Sequence, residues 1–397
     1  MVGREGVEHT RHARKKYQTE RGSAQGSVDQ IALSEIGPAD GVSKHKDIDS
    51  KQVADSSLYS RAYGCLLGLV CGDASGATLE FSRRGITEDL AEAAMRTEDL
   101  AEAAMRMPGG GLFRKGPGQI TDDSELALSL GYALRDRSPR DGIPLDKIAQ
   151  NYIDWYQNPY NCGNTCANAF SITDMGDGSS LSEQMIINSD RLNGGSESNG
   201  ALMRVAPLAV WCYDQSQDII AQYASQDASL SHPSKVVQDC NAVYCIGIAH
   251  LLNHPGDSVG AVKVIEEYAT KNACGKVREW VFDKPELDSL NCDVAIGHVK
   301  WGFMLALHFL RKNEPYKSAI QQTLMKMGDT DTNAAIVGAL LGALHGAEGI
   351  PEYMSRPVLA FRCDGQFSDE KFACTRPAKF NASNIVSLAK AFVHTDQ

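Results

Sequence analysis

The stretch GDTDTNAAIVGALLGALHG, Gly328 to Gly346, sets an oxygen-rich turn at the mouth of an apolar run. Asp, Thr and Asn are favoured helix N-caps, and negative charge is stabilised at a helix N-terminus, so the run reads as a helix carrying its own start signal. Behind the cap, Gly338, Gly342 and Gly346 recur every fourth residue and form a ridge that lets another backbone approach closely. A second ridge, Gly64, Gly68, Gly72 and Gly76, opens the patterned part of the chain. These spacings do not mark a membrane helix pair, because the apolar run is short and Asp73 interrupts it. From Ser57 onward apolar residues recur at i, i+3, i+4 and i+7, with few alternating β-branched runs. Leu126, Ala127, Leu130, Ala133 and Leu134 share one face between Asp122 and Leu134. Similar helices are predicted near 145–156, 199–212, 234–252, 258–271, 295–311, 315–326, 333–346 and 383–393. The pattern predicts an all-α domain over residues 58–397.

Composition limits the partners. With 397 residues, 43% of them hydrophobic, the chain can bury a substantial core. Its 39 basic against 50 acidic residues give a net charge of −11, which argues against a nucleic-acid backbone as partner and for a small or locally recognised substrate. Eleven cysteines, odd in number and scattered, include the pairs Cys65/Cys71, Cys162/Cys166 and Cys240/Cys245, none with zinc-finger spacing. They read as reduced thiols of an intracellular, cytoplasmic protein. Neither a membrane-spanning run nor the apolar segment of a secretion signal is found, despite Arg4, Arg11, Arg14, Lys15 and Lys16 near the start.

Residues 1–57 hold one aromatic, Tyr17, among Gly, Ser, Asp, Lys and Gln, and are expected to be a disordered polar tail. An identical decapeptide, TEDLAEAAMR, stands at 87–96 and again at 97–106. Each copy offers a Thr cap, acids in the first turn and helix-forming alanines, so the pair is expected to be a solvated, tolerated insertion.

A second oxygen cluster accompanies the first: Thr121, Asp122, Asp123, Ser124 and Glu125 begin the helix at 122–134. Either cluster alone is more often a capped helix than a metal site. Together they could supply about six oxygen ligands, a set that suits one or two Mg²⁺ or Mn²⁺ ions. An EF-hand loop is excluded, since its turn glycine is replaced by Ala334 and its final glutamate by Leu340. A haloacid-dehalogenase nucleophile is excluded as well, because no strand pattern precedes Asp329 and few residues follow it.

Five motifs in consistent order, GCLLGLVCGDASGATLEF, ITDDSELALSLGYAL, SNGALMRVAPLAV, SLSHPSK and GDTDTNAAIVGALLGALHG, resemble the ADP-ribosylglycohydrolase family over roughly residues 58–350. The resemblance implies a compact orthogonal multi-helix fold with a dimetal cleft. It also implies a monomeric enzyme that removes ADP-ribose from a modified protein or a small ADP-ribosyl conjugate, leaving ADP-ribose as product. By the same resemblance Thr121, Asp122 and Asp123 form one metal-binding group, and Asp329, Asp331 and Thr332 the other, around two Mg²⁺, with Mn²⁺ as the alternative. Glu80 corresponds to an acid near the scissile bond. Asp73 is read as structural, holding the turn after the glycine helix. Ser198, Asn199, Gly200 and Met203 correspond to a loop that cradles ADP-ribose, and His232 to a histidine beside the nucleotide, where a core histidine is the equal alternative.

Two departures stand out. Asn161 replaces an aspartate that many bacterial relatives place at the substrate, which weakens the expectation of an arginine acceptor. Ser124 replaces a commoner threonine and keeps the hydroxyl. A catalytically silent ADP-ribose-binding protein of the same fold is the alternative to the hydrolase, and the intact ligand set speaks against it.

Overall fold

Among the residues described by the structure, a computed structural model covering 50–80, 90–111, 113–172, 178–365 and 375–393, sixteen α-helices are found. They are α1 (Ser50–Gly76), α2 (Leu90–Ala104), α3 (Asp122–Leu134), α4 (Leu145–Tyr156), α5 (Asn164–Phe170), α6 (Leu181–Asn193), α7 (Ala206–Trp211) and α8 (Gln217–Ser229). The second half of the chain forms α9 (Lys235–Asn253), α10 (Ser258–Asn272), α11 (Gly275–Phe282), α12 (Val299–Lys312), α13 (Tyr316–Met325), α14 (Thr330–His345), α15 (Glu352–Ala360) and α16 (Ile385–Val393). Extended pairing among the described residues is confined to two isolated bridges, Gly110 with Lys115 and Ser198 with His298. No helix among them is long and apolar enough to cross a membrane. The all-α expectation is met. Most of the expected tail, residues 1–49, lies outside the described residues, and α1 begins inside the stretch assigned to that tail.

The two glycine ridges are one seam. A Cβ built on Gly68 would sit 2.1 Å from the Gly338 carbonyl oxygen, and one on Gly72 2.0 Å from that of Ala334. Farther up, a Cβ on Gly64 would lie 2.5 Å from the Gly342 oxygen. Only hydrogen fits there, so α1 from Gly64 to Gly76 runs backbone against backbone with α14. Polar side chains lock the seam: the Tyr316 hydroxyl donates to the Gly68 carbonyl at 2.9 Å, the Tyr244 hydroxyl to that of Ile336 at 2.6 Å, and the Thr330 hydroxyl to that of Gly76 at 2.8 Å. Around this pair the buried side chains of α3, α4, α7, α9 and α12 make one continuous core.

Several expected helices start elsewhere. Residues 199–204 form turns, and α7 begins only at Ala206 with Pro207 in its first turn. Helix α12 begins at Val299 rather than near 295, because Ala295 and Gly297 take positive φ values of 50° and 84°. The helix at 333–346 starts earlier, at Thr330, just behind its Asp329 cap position. Helices α5, α6, α8, α11 and α15 were not expected, although α6 carries a full capping box between Ser180 and Glu183.

The decapeptide repeat is helical from Leu90, and its second copy is two-faced, with Glu98, Asp99, Leu100, Glu102 and Ala103 exposed on one side. Ala101, Ala104 and Met105 are buried in the common core. Ten residues correspond to about 1000° of helical rotation, about 80° short of whole turns, so two adjacent copies cannot present the same face.

Candidate metal centre

The seam ends at the site. A Cβ on Gly76 would lie 2.3 Å from the backbone nitrogen of Asp331, so the last turn of α1 abuts the first turn of α14. Asp73, in that last turn, is fully buried. Its carboxylate accepts the Thr121 N–H at 3.1 and 2.9 Å, the Ser124 N–H at 3.2 Å and the Ser124 hydroxyl. It therefore clamps the start of α3, and the partner it holds is the oxygen-rich turn rather than its own. Burial raises the Asp73 pKa, against the pull of Lys115 and these donors.

At the head of α14, Met327 and Gly328 adopt positive φ values of 58° and 76°, and a Cβ on Gly328 would meet the Cys292 carbonyl oxygen at 2.3 Å. That tight turn sets up Asp329, whose carbonyl accepts the Asn333 N–H at 3.0 Å. Glu80, four residues past α1, comes back toward them. Ligand oxygens of Glu80, Asp329 and Asp331 all lie within 4.8 Å of one another. Thr332 is buried one residue further along α14.

Asp122 and Asp123 border this trio, since Glu80 acts electrostatically on Asp122 and Asp331 feels Asp123. The Thr121 hydroxyl is engaged locally, donating to Asp123 Oδ2 at 3.0 Å and accepting the Asp123 N–H at 3.2 Å. Glu125, next in the same motif, is turned away into a bidentate pair with Arg376 at 2.7 and 2.6 Å and accepts the Trp155 N–H at 2.7 Å. Its position explains why the motif's third acid is no part of the centre.

The electrostatics suit a cation. Burial, reinforced by neighbouring carboxylates, holds Asp122, Asp123 and Asp331 well above the ordinary carboxylate range. Burial likewise pushes Glu80 up to about 7, although Lys115 pulls the other way. Glu80 Oε2, Asp123 Oδ1, Asp331 Oδ1 and Asn333 Oδ1 are buried without a hydrogen-bond partner. Orphaned buried acceptors cost free energy that a divalent ion would offset, and all of them are the hard oxygens that Mg²⁺ and Mn²⁺ prefer.

The turn Ser198–Met203 lies beside the carboxylates. The Asn199 side-chain amide donates to Asp329 Oδ2 at 2.7 Å, and its backbone N–H donates to the Gly297 carbonyl at 2.9 Å. The Met203 N–H returns to the Asn199 carbonyl at 3.1 Å. Gly200 is packed so closely that a Cβ would meet Cys166 Sγ at 3.0 Å and the His232 ring at 3.2 Å. His232 is fully buried, its Nε2 2.8 Å from the Ser198 hydroxyl and its Nδ1 2.8 Å from that of Ser231. Burial, aided by Arg204, holds it well below the ordinary histidine pKa, so it is a neutral ring that orients Ser198. Asn161 is half-buried between α4 and α5, next to Tyr160.

Two charged residues of this region were not singled out from the sequence. Arg204, fully buried, donates to the Gly200 carbonyl at 3.3 Å and pairs with Asp227 Oδ2 at 3.3 Å, fixing the turn from beneath. Lys115, also buried, faces the carboxylates. An arginine closing the SNGALMR motif was a visible signal for the first; nothing local marks the second.

An all-helical scaffold whose central seam delivers clustered carboxylates beside a small-residue turn is the architecture of a metal-dependent hydrolase of sugar conjugates. The chain belongs to the ADP-ribosylglycohydrolase family, whose sequence profile matches residues 54–373. It is a glycosidic-bond hydrolase that removes ADP-ribose from an acceptor. The ADP-ribosyl-(dinitrogen reductase) glycohydrolase of Rhodospirillum rubrum is 28% identical over 296 residues, which cover 74% of this chain and 89% of that protein. The ADP-ribosylarginine hydrolase Tri1 of Pseudomonas putida (strain GB-1) is 26% identical over 328 residues, 79% of each chain. A solved structure described as an ADP-ribosylglycohydrolase-related protein complex superposes with a TM-score of 0.63 at 22% identity, over 86% of this chain and 100% of that one, and shares the fold.

Proposed function

We propose that the chain is a Mg²⁺-dependent hydrolase acting as an intracellular, cytoplasmic monomer on an ADP-ribosylated protein or a small ADP-ribosyl conjugate. The bond cleaved joins the ribose anomeric carbon to the acceptor. The observation that carries this reading is the convergence of Glu80, Asp329 and Asp331 within 4.8 Å, with orphaned buried oxygens, beside the Ser198–Met203 turn.

Asp329, Asp331 and Thr332 from α14, with Asp122, Asp123 and Thr121 from the head of α3, would hold two Mg²⁺ or Mn²⁺ ions. Ions bound there would supply fixation of the ribose hydroxyls and a more acidic water. Asn199 keeps Asp329 in place, and the Ser198–Gly200 backbone, held by His232 and Arg204, would border the ADP-ribose. In the reaction a water oxygen bonds to the anomeric carbon as the glycosidic bond breaks, and a proton reaches the departing acceptor atom. Glu80, buried beside Asp329 and Asp331, is the group suited by position to carry that proton. Relatives named for arginine acceptors place the guanidinium among the candidates, and the neutral Asn161 keeps serine and small-molecule acceptors beside it.

A panel of ADP-ribosylated arginine, serine and small-molecule acceptors, assayed with and without EDTA, tests the proposal. Release of ADP-ribose from at least one acceptor, lost in EDTA and restored by Mg²⁺, is expected. If none is cleaved under any metal condition, the enzymatic reading fails; thermal stabilisation by ADP-ribose without turnover would identify a binder instead.

A further inference from the structure

Lys115 is out of place by ordinary rules. Its residue is 1% exposed, and its ammonium has no hydrogen-bond partner. A buried lysine without a partner is costly, and one is tolerated only where other charges compensate. The backbone shows how it is held. Lys115 exchanges N–H···O bonds with Gly110 at 2.7 and 2.9 Å, closing the PGGG turn. Gly111 in that turn presses on the end of α1, where its Cβ would meet the Ala77 carbonyl oxygen at 2.7 Å. The side chain passes between aromatic faces, with Nζ 5.5 Å from the Tyr160 ring centroid and 5.6 Å from that of Phe113. Its charge acts on Asp331, Glu80, Asp73 and Asp122. Burial alone would favour the neutral amine, and those carboxylates more than reverse it, raising the pKa above the ordinary lysine value.

We propose that Lys115 is a resident counter-cation of the carboxylate centre: its ammonium holds the cluster together when metal is scarce and weakens divalent-ion binding by occupying the same field. This rests on the metal reading given above. Six carboxylates, Asp73, Glu80, Asp122, Asp123, Asp329 and Asp331, meet within a buried region. Lys115 is the basic group acting on four of them, Asp73, Glu80, Asp122 and Asp331. A fixed positive charge in the same buried region as a divalent ion repels it, and in a screened site the repulsion is worth about a tenfold change in affinity or more. Two cation–π faces supply what a hydrogen bond would otherwise provide, so the ammonium is held without a ligand oxygen being consumed. The orphaned oxygens thereby stay available to a metal.

The test uses the whole chain, Lys115→Met and Lys115→Arg, with calorimetric titration of Mg²⁺ and thermal denaturation in EDTA and in Mg²⁺. Lys115→Met is expected to bind Mg²⁺ about tenfold more tightly, to melt lower than the parent in EDTA, and to recover most of that loss in Mg²⁺. Lys115→Arg, which keeps the charge, is expected to retain the parental Mg²⁺ affinity. Unchanged or weaker Mg²⁺ binding by Lys115→Met overturns the proposal, as does an equal loss of melting temperature in both buffers or a variant insoluble in both, since each marks a packing role. Tighter binding by Lys115→Arg would overturn it too, because shape and not charge would then be responsible. If the parent itself binds no divalent ion, the metal reading is what fails, and the melting temperatures in EDTA still decide whether Lys115 holds the cluster.

Discussion

Gly72→Ala tests whether the glycine seam builds the site. The added methyl would sit 2.0 Å from the Ala334 carbonyl oxygen, 2.5 Å from its carbon and 2.9 Å from the Ala335 nitrogen. Carbon–oxygen contacts settle at about 3.3 Å even when they are attractive, so the two helices must part by about 1.3 Å. The obstructing atoms are backbone, and no side chain can swing away. Overpacking of this kind costs about 3 kcal/mol, from which about 1 kcal/mol is recovered because alanine is the better helix former, leaving a net loss of about 2 kcal/mol and a melting temperature several degrees lower. The functional effect should be larger. Glu80 follows α1 and Asp331 opens α14, so parting the helices separates ligand oxygens that now lie within 4.8 Å. A misplacement of about 1 Å costs on the order of 10²-fold in rate. Gly275→Ala is the control, since nothing lies within 4 Å of its Cβ position and its φ is not positive; it should be neutral or slightly stabilising. Differential scanning calorimetry and Mg²⁺ titration of both variants give the answer. A Gly72→Ala protein with parental stability and metal affinity would refute the seam argument.

Asp329→Ala should weaken Mg²⁺ and ADP-ribose binding as well as abolish turnover, whereas Glu80→Gln should keep ADP-ribose binding near the parental value and lose about 10²–10⁴-fold in single-turnover rate; parental hydrolysis by Glu80→Gln would remove Glu80 from the chemistry. Glu80 titrates near 7 in the folded metal-free protein against an ordinary 4.5, so the folded state binds the extra proton between those values. Stability in EDTA should therefore fall as pH rises from about 4.5 to about 7, by about 3 kcal/mol from this group alone, and the fall should be suppressed by Mg²⁺; melting curves that rise across that window in EDTA would contradict the assignment. Removing either copy of TEDLAEAAMR gives the same chain, in which the surviving copy still precedes Met107 and can fill the place of Ala101 and Met105. That deletion should leave activity and melting temperature nearly unchanged, while Met105→Asp, which buries an unpaired charge in the core, should cost several kcal/mol; an inactive deletion variant would mean that the first copy contributes to the cleft.

Both oxygen clusters were legible in the sequence because each sits at a helix start, where capping chemistry and metal chemistry demand the same residues. The helices Asp122–Leu134 and Leu145–Tyr156 were equally plain from their apolar period. Other features were fixed only by tertiary contact. Each glycine ridge could be seen, but not that the two ridges face each other, and it is their pairing that brings Glu80 to Asp331. Asp73 reads locally as a turn residue, yet its partners Thr121 and Ser124 lie 48 and 51 positions away. Lys115 stands in an unremarked basic pair beside a glycine turn, and its role depends on the fold burying it. Helix α6 was overlooked although Ser180 and Glu183 announce its start, because its largely polar composition gave the apolar pattern little to hold. His232 was balanced between ligand and core, and the structure places it in the core as the support of Ser198.

Asp329 and Asp331, with Asp122 and Asp123, are held here to bind the catalytic cations, with Glu80 beside them. Anomalous X-ray scattering from crystals of the protein grown with Mn²⁺ would test this most directly. A strong anomalous peak is expected within about 2.5 Å of carboxylate oxygens from Asp329 and Asp331, bordered by Asp122 and Asp123 and lost in Asp331→Ala. A fully occupied ion elsewhere, with these carboxylates hydrogen-bonded only to one another or to Lys115, would contradict it.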